Sequence, residues 1–126
     1  MSTKWLLKAT GFLETTTGIA LLAIPFTVVD LLLGVELDSP PAIVICRITG
    51  AALLSIGVAC LLVMTGDCRK AKRGLIAGLF MYNAAVPALL IHAALAYSMQ
   101  GLALWPASGL HVALAIWCAA CLMAPR

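Results

Sequence analysis

Four stretches of this chain each read as a bilayer-crossing helix, and that expectation constrains its fold more than any other feature. They cover about residues 5–24, 42–64, 74–97 and 105–123. A membrane-crossing helix needs about 20 predominantly apolar residues. The four stretches use most of the 126 positions, so the chain reads as one integral membrane domain over residues 1–126, with no room for a separate soluble catalytic domain. Composition agrees: 63% of residues are hydrophobic, 10% are charged and the mean hydropathy is +1.10. Soluble domains average about 45–50% apolar and about 25% charged. The expected fold is all-α, a bundle of four transmembrane helices.

The breaks between the stretches are legible. Pro25 stops or kinks the first helix. Residues 26–33 are too short to span alone, and Asp30 among apolar neighbours suggests a short amphipathic segment on the outer surface. The competing reading is one long, kinked first helix reaching Leu33. Residues 34–41 read as a loop of Gly34, two acids and Ser39-Pro40-Pro41, with Pro41 at a helix start. Thr65-Gly66-Asp67 ends the second span. The third opens on Gly74-Leu-Ile-Ala-Gly78, a small-residue spacing for close helix contact, and carries Pro87 near its middle.

The charges are segregated. Lys4 and Lys8 lie near the N-terminus, Arg69, Lys70, Lys72 and Arg73 fall in what reads as a loop over 67–73, and Arg126 ends the chain. Asp30, Glu36 and Asp38 share a connection without Lys or Arg. With four spans every basic segment falls on one side, and the positive-inside rule places that side, with both termini, in the cytoplasm. The bacterial inner membrane is the expected location. The basic segment reads as a topology signal that also touches lipid headgroups, not as a nucleic-acid site. Glu14 inside the first apolar run, and no small-residue cleavage site near residue 25, argue for a retained first helix over a cleaved signal peptide.

The candidate functional residues are the polar ones at membrane depth. Gly11, Glu14 and Gly18 share a helix face, and Arg47 stands among Gly50 and Gly57 on the second span. A charge at the centre of a membrane helix costs about 2.5–3.5 kcal/mol on insertion scales, so an acid and a guanidinium are expected to pair. Counting 1.5 Å per residue from the helix ends sets Arg47, His92 and His111 in one outer layer, with Glu14 and Asn83 near mid-membrane. Tyr82 shares a face with Gly78, Ala85 and His92. Ser108, His111, Ala115 and Cys118 share a face of the last span.

Five cysteines, mostly inside apolar runs, do not form a secreted disulfide framework. Cys60, Cys68, Cys118 and Cys121 fall near the cytoplasmic level, where they are either small buried hydrophobes or a thiol cluster. His92 and His111 are metal-ligand types, but two are too few for a complete zinc site. No cofactor is expected.

The pattern Gly11-x-x-Glu14-Thr-x-x-Gly18, Arg47-x-x-Gly50-Ala-Ala-Leu-Leu-Ser-x-Gly57, Tyr82-Asn83 and Trp105-Pro106…His111 resembles the small four-span bacterial membrane proteins of DoxX-like size and layout. The resemblance implies fold and location, and no activity. Glu14 in the first span is also similar to the embedded glutamate of the small multidrug-resistance transporters, which would imply proton-coupled export. Against that stand the missing Tyr-x-x-Trp of their third helix and the competing charge of Arg47.

Three function classes follow. The first is an accessory or assembly subunit, or a homo-oligomer, whose polar interior holds lipid headgroup or a small ligand; its partners are membrane lipid and other membrane subunits. The second is a proton-coupled small-molecule transporter centred on Glu14. The third is a membrane redox or metal enzyme using His92, His111 and the cysteines.

Overall fold

The structure, a computed structural model, describes residues 2–124; Arg126, counted above among the basic residues, lies outside them. It is all-helical, with five helices making up 85% of the described chain. They are α1 Thr3–Ala23, α2 Pro25–Leu33, α3 Pro40–Thr65, α4 Arg69–Tyr97 and α5 Leu104–Met123. Helices α3, α4 and α5 are each long and apolar enough to cross a membrane, and the pair α1 and α2 makes a fourth candidate if it is counted as one broken span. Only 22–28% of the apolar stretch of α3, α4 and α5 is buried inside the protein. Phe12, Ile45, Leu62, Met81, Leu95 and Ile116 all project outward. An exterior this apolar is that of a multi-pass membrane protein, with acyl chains as its solvent.

Local chemistry sets most boundaries. Ile24 breaks the α1 backbone geometry ahead of Pro25, and α2 leaves at 115° to α1. One long kinked helix reaching Leu33 is therefore not what forms. Gly34 closes α2 in the left-handed region, at φ 67°, its N–H donating to the Asp30 carbonyl at 2.7 Å. Ser39 caps α3, its Oγ accepting from the Ala42 N–H at 3.4 Å, with Pro40 and Pro41 in the first turn.

One boundary departs from expectation. The connection between α3 and α4 is short, and Arg69–Arg73 form the first turns of α4 instead of a loop. Arg, Lys and Ala are strong helix formers, so the basic run extends the helix outward. At 29 residues α4 is about 43 Å long, roughly 13 Å more than a typical hydrocarbon thickness, which is length enough for its charged turns to lie outside one.

The helices form two tight antiparallel pairs, α1 with α3 and α4 with α5, and contacts between the pairs are fewer. The first pair meets backbone to backbone. A Cβ on Gly18 would lie 2.7 Å from the Gly50 carbonyl oxygen, one on Gly50 2.8 Å from the Gly18 carbonyl oxygen, and one on Gly57 2.6 Å from the Thr15 nitrogen. Small residues permit this approach, and in lipid such close packing replaces the hydrophobic effect as the source of association. Gly74 and Gly78 of α4 behave differently: a Cβ on either meets nothing within 4 Å.

Two apolar clusters hold the pairs together. At the end that carries Lys4, Lys8 and Arg69–Arg73, Leu6 and Leu7 pack with Cys60, Ile76, Leu79, Leu114 and Cys118. At the other end Leu90, Ala94 and Leu104 pack beneath Leu32 and Leu33 of α2. The Ala103 N–H donates to the Leu31 carbonyl at 2.7 Å, and Gly101 lies so close to the Leu32 backbone that no side chain would fit. Helix α2 is thereby fastened across the gap between the pairs. The acids Asp30, Glu36 and Asp38 gather at this end.

Candidate intramembrane site

Between the two apolar clusters lies a layer of polar side chains. Glu14 is only 3% exposed, on α1 roughly 40–60° round the helix from Gly11 and Gly18. Thr10, one turn earlier on the same flank, is fully buried. From α4, the Tyr82 hydroxyl donates to Glu14 Oε2 at 3.4 Å. This hydrogen bond joins the first helix pair to the second.

The adjacent residue of α4 continues the chain of contacts. Asn83 is fully buried, and its Nδ2 donates to the Leu79 carbonyl at 2.8 Å. Its Oδ1 is then the acceptor, so the 2.7 Å contact to His111 is a hydrogen bond donated by Nδ1–H. The His111 ring also meets the Tyr82 ring edge-on, with centroids 5.5 Å apart. One turn before His111, Ser108 donates to the Leu104 carbonyl at 2.8 Å. Glu14, Tyr82, Asn83 and His111 thus form one connected group drawn from three helices.

This group borders a cavity of about 380 Å³. Its walls are apolar, from Leu21 of α1, Leu53 of α3, Val86 and Leu90 of α4 and Ala107 of α5, and α2 roofs it with Val28, Val29 and Leu32. Tyr82, His111, Thr17 and Thr49 supply its polar points. The pocket is partly open, with Thr17, Leu31, Thr49 and Leu110 exposed at its edge. A largely apolar hollow with a few convergent polar groups is the usual form of a small-molecule site.

The expected partner of Glu14 is elsewhere. Arg47 is exposed on the outside of α3, and no ion pair occurs among the described residues. Helical geometry explains the difference. At about 100° per residue Arg47 stands roughly 60–80° round α3 from Gly50 and Gly57. The glycines face α1 and the arginine faces lipid. Helical Cα–Cβ bonds tilt toward the helix N-terminus, which for Arg47 is the nearer end of α3, so a long basic side chain there is placed to reach the interface.

His92 is also outside the group. It is exposed and packs edge-on against Tyr97 at 5.6 Å, half a turn round α4 from Asn83. His111, expected in a layer with Arg47 and His92, is level with Asn83 instead. Helix α4 runs past the start of α5, so Leu104 packs beside Leu90 and Ala94 rather than beside the end of α4. Depths counted from helix ends are displaced by that overlap.

The cysteines separate. Cys60 and Cys118 belong to the apolar cluster, Cys121 borders it, Cys46 is half-buried and Cys68 is exposed between α3 and α4; all are free thiols. No three His, Cys, Asp or Glu side chains among the described residues are placed to hold a metal ion. Thr10 is buried beside the group without joining it, its Oγ1 having no hydrogen-bond partner among the described residues; its i, i+4 spacing to Glu14 was the sequence signal for its burial. Sequence reasoning had no signal for the roof formed by α2, which depends on contacts between segments about 70 residues apart. The chain matches no protein-family model, no curated protein and no solved structure.

Proposed function

We propose that this is a four-span protein of the bacterial inner membrane, with α1 and α2 together as one broken span and both termini in the cytoplasm. It acts as an accessory or assembly subunit, or as a homo-oligomer, and its cavity holds a small, mostly apolar ligand with one polar end. The observation that carries this reading is the 380 Å³ cavity between the helix pairs, apolar except where Tyr82, His111, Thr17 and Thr49 face it. The DoxX-like layout is consistent with this reading and supplies no activity. The direct test is solvent extraction of the purified protein followed by mass spectrometry. A small molecule near one per chain is expected from the wild type, and it should be lost from Ala107→Phe, which fills the cavity. Identical extracts containing only bulk lipid from both proteins would overturn the reading.

A second reading, proton-coupled transport centred on Glu14, gains from one observation: Arg47 does not stand in the site to oppose a cationic substrate. In that case Glu14→Gln abolishes substrate-driven proton movement in proteoliposomes. As a ligand-holding subunit, the same variant mainly weakens folding or assembly and shows no such movement to lose.

A further inference from the structure

The basic turns of α4 do more than carry positive charge. Arg69, Lys72 and Arg73 stand at i, i+3 and i+4, on one face of the helix, and line a single cleft of about 280 Å³. Thr3 of α1, Cys121 and Leu122 of α5 and Ala124 just after it also line it, and among the described residues no acidic side chain does. Lys70, between these residues in sequence, does not line it. No carboxylate among the described residues neutralises the three cations, since Asp67 stands exposed outside the cleft.

The cleft has two chemistries at two depths. Its mouth is cationic, set by Arg69, Lys72 and Arg73 in the first turns of α4. Its inner end is apolar: Ile76, one turn below Arg73 and only 3% exposed, with Leu122 beside it. A free inorganic anion would use the mouth and leave the apolar end unfilled. A phosphodiester headgroup attached to glycerol and acyl chains matches both ends in the same order, charge outside and hydrocarbon inside.

We infer that this cleft binds one anionic phospholipid, its phosphate held by Arg69, Lys72 and Arg73 and its glycerol end against Ile76 and Leu122. The site is separate from the cavity under α2, and it gives the basic turns a defined ligand beyond a general attraction to the membrane surface. A lipid there links α4 to the start of α1 and the end of α5, so it ties the two helix pairs at the end where α2 is absent.

Native mass spectrometry of the full chain in neutral detergent tests this, with dioleoylphosphatidylglycerol as the probe. One bound lipid per chain is expected, with dioleoylphosphatidylcholine not retained. Surface Lys and Arg side chains each add to anionic-lipid attraction, so Arg69→Gln/Arg73→Gln should weaken binding at least about tenfold. Arg47→Gln/Lys70→Gln removes the same charge outside the cleft and should leave binding unchanged. Single Arg73→Gln should show an intermediate loss, which serves if the double variant is poorly made. Equal loss in the control pair would mean diffuse charge attraction and overturn the site. Equal retention of phosphatidylcholine would reduce it to an acyl groove. Displacement by inorganic phosphate or glycerophosphoglycerol at the lipid's own concentration would make it a soluble-anion site, and either result would overturn the proposal.

Discussion

At the scale of single residues, the interior of this protein is organised by polar atoms that lipid cannot satisfy. Asn83 shows the logic most simply. Its amide serves two partners, donating to Leu79 of its own helix and accepting from His111 of the next. Asn83→Leu leaves the His111 Nδ1–H without an acceptor, and an unsatisfied buried donor costs about 1–3 kcal/mol. The expected result is a loss of that size in unfolding free energy in mixed micelles, partly recovered in Asn83→Leu/His111→Leu, where both partners are apolar. An unchanged unfolding curve for the single variant would remove Asn83 from the group. Arg47 illustrates the opposite case. It is charged, at nominal membrane depth, and outside the group, because a 60–80° rotation on a helix separates a packed face from a lipid-facing one.

At the scale of helices, glycines sort by what they touch. Gly57 lies against the α1 backbone, whereas Gly78 lies in open space. Gly57→Ala places a methyl against fixed backbone atoms and is expected to cost 2 kcal/mol or more, as overpacking does. Gly78→Ala meets nothing and should stabilise by about 0.5–1 kcal/mol, through helix propensity alone. Thermal unfolding in one detergent compares them directly, and equal effects would contradict the pairing of α1 with α3. The same contrast shows what was legible in the sequence. The small residues of α1 and α3 marked a contact correctly, because a seam needs them at both Gly11–Gly18 and Gly50–Gly57. The identical cue at Gly74–Gly78 marked no contact within the chain. The helices themselves were legible from apolar length and from Pro25, Gly34 and Pro41. The extent of α4 was not, because a basic run reads as a loop when helix propensity and charge compete. The members of the site were half legible: Glu14, Tyr82, Asn83 and His111 are polar residues in apolar company, but residue type and spacing do not state rotation or helix overlap. Those two quantities misplaced Arg47, His92 and the level of His111.

At the scale of the whole molecule, two helix pairs meet around a polar layer, with a basic end and an acidic end. The proposed topology makes a definite claim about these ends. In cells carrying a variant whose only cysteine is Cys68, a membrane-impermeant maleimide should fail to label the protein until the membrane is opened. A cysteine introduced by Glu36→Cys in a cysteine-free background should label from outside at once; the reverse pattern would invert the orientation. The most direct measurement concerns what holds the pairs together. Double-mutant cycles in a mild detergent compare Glu14→Leu/Tyr82→Phe with Glu14→Leu/Arg47→Leu. Residues that share a hydrogen bond couple, while separated residues add within about 0.3–0.5 kcal/mol. The expected result is a coupling of about 0.5–1.5 kcal/mol between Glu14 and Tyr82 and none beyond additivity between Glu14 and Arg47. Strong coupling to Arg47, with Tyr82 additive, would contradict the two-pair arrangement.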